Sequence, residues 1–146
     1  MTTALIANVV HAQWQTPKFF PADELKGEEA YYSNQFIGDD DYFVSWSNET
    51  QIKIGTRRGI FDYNDNYVSV IVGFYVNDEL DEKITTKFFV PKGDSNTAYT
   101  SEYKAPANLG SKIINHLKTK GKVRFIVPKY SGADFDLTVP MNKDLK

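Results

Sequence analysis

A mainly β fold, a single-domain antiparallel β-sandwich or barrel with one amphipathic α-helix at about 107–120 packed on the sheet, is what this chain predicts. Three observations predict it. Short apolar runs with period-two alternation recur along the chain, turn signals separate them every eight to twelve residues, and only one segment carries the helical period. A parallel sheet would need more crossover helices than that. With 146 residues the chain makes one domain, residues 1–146, long enough to bury about two thirds of its unfolded surface without staples. An aromatic content of 14% leans toward strands, and the absence of cysteine excludes disulfides, thiolate metal sites and cysteine nucleophiles.

Tyr67 to Val76 (YVSVIVGFYV) is the organising strand. Val68, Val70, Val72, Phe74 and Val76 alternate with Tyr67, Ser69, Ile71, Gly73 and Tyr75, so both faces are largely apolar and other strands are expected over it.

Upstream, Ala4 to Trp14 reads as an opening strand. It resembles a signal peptide in its apolar residues, but no Lys or Arg precedes them and Asn8 interrupts them. The rhythm fails from Thr16 to Asp41. Pro17 and Pro21 bracket Phe19 and Phe20, which either tuck back against the sheet or face a partner as apolar anchors. Ala22 to Ala30 makes at most a short helix broken at Gly27, and Tyr31 to Ile37 makes a strand.

Asp39-Asp40-Asp41 is the densest charge in the chain. Consecutive side chains on a turn point apart, so a solvated turn fits better than a cation site. Tyr42 to Ser47 and Thr50 to Arg58 form a hairpin around Asn48-Glu49, a segment that also matches a glycosylation acceptor. Asp62, Asn64 and Asn66 imitate an EF-hand start, but Tyr67 and Gly73 stand where its glycine and glutamate belong, so a turn is expected.

After the organising strand, Asn77 to Glu82 is expected to turn the chain. Ile84 to Pro91 returns as a hairpin partner, and Thr97 to Tyr103 suits an edge or half-exposed strand. Leu109, Ile113, Ile114 and Leu117 form one apolar stripe of a helix that starts at Pro106 or Asn108 and is closed by Gly121. Val123 to Val127 then pairs with Phe135 to Val139.

Charge is uneven along the chain. Residues 1–100 hold 8 Lys and Arg against 15 Asp and Glu, a net of −7, while residues 101–146 hold 9 against 4, a net of +5. Such polarity suits an acidic partner or head-to-tail self-association.

No catalytic constellation, cofactor motif or metal-ligand spacing is legible, and no cofactor is expected. The expected function is therefore non-catalytic. It is a protein-binding or assembly role toward another protein or copies of itself, as in a phage or secretion-type particle or a small inhibitor or immunity-type protein. Lys118, Lys120, Lys122, Arg124 and Lys129, with Tyr130, are the expected partner-binding residues beside Phe19 and Phe20. An alternative is an OB-like binder of single-stranded nucleic acid, in which those cations surround Phe125 and Tyr130 as stacking residues, although a pI near 5.7 opposes it. Another is a carboxylate-dependent hydrolase, which needs only two well-placed members of the 19 Asp and Glu. Without a membrane span, a cytoplasmic or virion setting is expected.

Overall fold

The computed structural model describes residues 12–100 and 106–146. Most of the expected strand Ala4 to Trp14, and residues 101–103 of the expected strand Thr97 to Tyr103, lie outside the described residues. The chain is mainly β, one antiparallel sheet curled into a half-barrel with, among the described residues, a single α-helix.

The strands are β1 (Gln13–Trp14), β2 (Lys18–Phe20), β3 (Tyr31–Ile37), β4 (Tyr42–Asn48), β5 (Gln51–Thr56), β6 (Tyr67–Val76), β7 (Glu79–Phe89), β8 (Thr97–Thr100), β9 (Val123–Val127) and β10 (Phe135–Val139). They lie in the order β1-β3-β4-β5-β8-β7-β6-β9-β10, with β2 paired to β3 off that path. The helix α1 (Leu109–Thr119) buries the whole expected stripe, Leu109, Ile113, Ile114 and Leu117.

Strand β6 has the expected bounds and is paired on both sides, with β7 and β9. Its two faces are nevertheless unequal. Val68, Val70, Val72 and Phe74 are buried in the core, whereas on the outer face Ser69 is exposed, Ile71 and Tyr75 are half-buried and only Gly73 is buried, so among the described residues no second layer covers that face. The turn after it is shorter than expected. Asn77 and Asp78 hold φ of 51° and 65°, the tight two-residue geometry that matches strand twist, and β7 resumes at Glu79.

Two further expectations are corrected. The short strand β8 is inner, not an edge: Lys53 of β5 faces Tyr99 on one side and Phe89 of β7 faces it on the other. Ala22 to Ala30 forms no helix but a turn, held by backbone bonds between Asp23 and Glu28 and by the Asp23 carboxylate accepting from the Leu25 and Lys26 amides.

The half-barrel closes along a seam between β10 and the β1–β3–β4 edge. Tyr42 stacks on Phe135 with centroids 4.4 Å apart, and Trp14 Nε1 donates to the Pro140 carbonyl at 3.1 Å. At the same end as Trp14, Asn34 is buried and exchanges hydrogen bonds with the Lys146 backbone at 3.0 and 3.4 Å. No helix among the described residues is long and apolar enough to cross a membrane.

Candidate interaction surfaces

Strand β3 outruns the sheet. Its inner residues Asn34 to Ile37 pair with β4, but Tyr31, Tyr32 and Ser33 pair only with β2, so residues 15–33 leave the half-barrel as a two-stranded ribbon. The departure is built into the register. Trp14 faces Phe36 and Lys18 faces Ser33, four steps on one strand against three on the other, which is a bulge spanning Gln15 to Pro17. Pro17 suits that position because a bulged residue has no ladder bond to lose.

Phe19 and Phe20 sit on this ribbon and not against the core. Phe20 stacks on Tyr31 with centroids 4.8 Å apart, Phe19 tilts against Tyr32 at 5.1 Å, and Lys18 Nζ lies 4.9 Å over the Phe20 ring. Cross-strand aromatic pairs of this kind contribute roughly 0.2–1 kcal/mol each. The two pairs occupy opposite faces, since neighbouring strand residues alternate. Phe19 is 51% exposed, and at the tip Leu25 is 99% exposed among Asp23, Glu24, Glu28 and Glu29. Nothing in the sequence singles out Tyr31, Tyr32 and Leu25, because their place on a ribbon emerges only from the register.

The expected cationic set does not form one patch. Lys118 and Lys120 end α1 and Lys122 follows it, whereas Lys129 and the 75%-exposed Tyr130 lie beyond the far end of β9. Lys122 Nζ bonds the Asp78 carboxylate at 2.9 Å, and that contact holds the Asp78 carboxyl below the usual range. Lys129 donates to the Tyr42 hydroxyl at 2.9 Å. Phe125 is wholly buried in the core and offers no stacking surface.

Arg124 forks onto Asp136, with Nε and Nη2 at 2.9 and 2.7 Å from its two oxygens. These hydrogen bonds hold the Asp136 carboxyl below, and raise the Arg124 guanidinium above, their ordinary values. The pair lines a seam cleft of about 550 Å³ with Asp39 and Asp40. A general acid needs a raised pKa, and Asp136 is shifted the other way. Asp40 and Asp41 face Arg58 at 3.7 and 3.6 Å. Among the described residues, no group of three or more His, Cys, Asp or Glu is disposed around a metal position.

The Arg124–Asp136 pair yields a pH prediction. A depressed carboxyl pKa adds stability above the unfolded value near 4, and that stability is lost as pH falls through the folded pKa. Both side chains are over a third exposed, so Asp136→Asn is expected to cost at most about 1 kcal/mol at neutral pH. In urea melts the gap between variant and wild type should close below about pH 4. A gap that widens on acidification would contradict this.

On the outer sheet face, Lys53, Tyr99, Phe89 and Tyr67 form one row across β5, β8, β7 and β6. Its rings are engaged with neighbours: Tyr67 packs edge-on to Phe89 at 5.9 Å, and Lys53 Nζ lies 5.8 Å over Tyr99 and 5.7 Å over Phe43.

Comparison with protein-family models, with curated proteins and with solved structures finds no match to this chain.

Proposed function

We propose that this chain is a non-catalytic assembly protein that binds another protein through the ribbon of residues 15–33. The observation that carries this reading is an ordered two-stranded ribbon with aromatic pairs on both faces and a fully exposed leucine at its tip. Ordering such a segment costs about 1–2 kcal/mol per residue, and an isolated hairpin in water is marginal. Among the described residues its apolar side chains do not join the core, which supports a use for them in a contact outside this chain.

The two alternatives have weaker support. Single-stranded nucleic acid needs a series of free aromatic faces beside cations, whereas Phe125 is in the core, which leaves Tyr130 alone beside Lys129, and in the outer row Tyr67 packs on Phe89 and Lys53 lies over Tyr99. A hydrolase needs a carboxyl poised to give a proton, and Asp136 is held as a charged acceptor by Arg124.

A photoreactive amino acid in place of Leu25, activated in intact cells, tests the reading. Covalent adducts with a protein, whether this chain or a different one, are the expected result. Absence of any protein adduct, with the substituted chain folded and abundant, would overturn it.

A further inference from the structure

Resting on the assembly reading, we propose that the ribbon's partner is a second copy of this chain, and that its tip docks on the lysine-bearing surface where α1 ends and residues 140–146 pass beneath it. The dimer is a reciprocal exchange of arms.

Charge is the first argument. The tip, residues 22–30, carries four carboxylates against one lysine, a net of −3. Residues 117–124 and 140–146 carry six Lys and Arg against a single carboxylate side chain, Asp144. Lys122 and Arg124 are engaged by Asp78 and Asp136, but among the described residues Lys118, Lys120 and Lys143 have no ion-pair partner. Neither have Glu24, Glu28 and Glu29. Two unneutralised surfaces of opposite sign on one chain are complementary between two copies.

Geometry is the second argument. The Asn142 amide donates to the Leu117 carbonyl at 2.7 Å, which fixes Met141 and Lys143 beside the last turn of α1. Asn34, at the ribbon's root, is bonded to Lys146, so root and lysine surface share one end of the half-barrel. Beyond the half-barrel the ribbon runs from Ser33 through Tyr31 to the Asp23–Glu28 bridge, a reach of up to about 17 Å at 3.3 Å per residue, which sets the acidic tip off from its own root. A two-fold axis facing these ends brings each tip to the other copy's lysines. The contact is then closed, the same residues serving both sides.

The apolar residues match as well. Leu25 is 99% exposed and Met141 is 47% exposed amid the lysines. A flexible thioether is a suitable seat for a single leucine. Phe19 and Tyr32 along the ribbon supply further contact area toward the roughly 800 Å² per partner of a standard interface.

Sedimentation of the purified full chain over a range of concentration and salt tests this. A concentration-dependent dimer that weakens with salt is expected. Reversing the patch (Lys118→Glu, Lys120→Glu and Lys143→Glu together) or the tip (Glu24→Lys, Glu28→Lys and Glu29→Lys together) should each raise the dissociation constant about a hundredfold, and combining both sets should restore the dimer. Unchanged far-ultraviolet dichroism and melting would show that the fold is intact. A strict monomer at every concentration, a dimer indifferent to both reversals, or no rescue in the combined variant would each overturn the arm exchange. An adduct from position 25 to a different protein, with the purified chain monomeric, keeps the assembly reading and overturns only the second copy. No adduct at all removes both.

Discussion

Phe125→Ala is expected to lower the free energy of unfolding by about 3–5 kcal/mol, the range for removing an aromatic ring from a packed core. Phe125 is wholly buried at the middle of β9, opposite Val72 on β6 and Leu137 on β10, so the void would lie between two strand pairings that hold the backbone in place. Little collapse is available. For a domain near 150 residues each kcal/mol shifts the melting temperature about 2–4 °C, so thermal melts should drop by roughly 6–20 °C. A stacking residue on a nucleic-acid surface would behave differently, because its removal leaves stability within about 0.5 kcal/mol. A melt unchanged to that degree would contradict the burial of Phe125.

Gly121→Ala is expected to cost about 2–3 kcal/mol although it adds a single methyl group. A Cβ at Gly121 would run into the Tyr75 backbone carbonyl of β6, and that strand is paired on both sides and has no freedom to retreat. The same carbonyl accepts from His116 Nε2 at 2.8 Å, so one methyl would push apart the hydrogen bond that ties the end of α1 to the sheet. Gly93→Ala is the comparison. Its Cβ would meet open space, and its φ of +84° alone should cost about 1 kcal/mol. Equal melting of the two variants would show that the close approach at Gly121 does not matter.

These two residues also show where sequence reasoning works and where it stops. The stripe Leu109, Ile113, Ile114 and Leu117 announces a buried helix face, and all four are buried, because a 3.6-residue period has few other uses. Gly121 reads in the sequence as the residue that closes the helix, yet its backbone is not in the left-handed region that such a glycine usually supplies. What it supplies is closeness to Tyr75, a property of two distant segments that neither spells out. For the same reason the sequence of β8 reads as an edge or half-exposed strand. Its Thr-Ala-Tyr-Thr alternation reports which side chains are inward but not how many neighbours the backbone has.

The candidate surfaces follow the same division. Phe19 and Phe20 stand out as apolar residues in an irregular stretch, but only the bulge between Trp14 and Lys18 reveals that they leave the sheet. Lys122 and Lys129 are close in sequence, yet a strand lies between them, and seven extended residues separate them by roughly 20 Å. Adjacency in sequence merges what an extended backbone sets apart. Met141 and Lys143 carried no periodic signal at all, since their position depends on one backbone bond to Leu117.

The seam has a consequence in time. The bonds that close it join Trp14 to Pro140 and Asn34 to Lys146, partners 126 and 112 residues apart. Strands β6 and β7 can zip locally in microseconds, but these closures require nearly the whole chain to be gathered first. Refolding should therefore run on the slow, millisecond-to-second scale of all-β topologies, with the β6–β7 hairpin protected from hydrogen exchange well before Trp14 is.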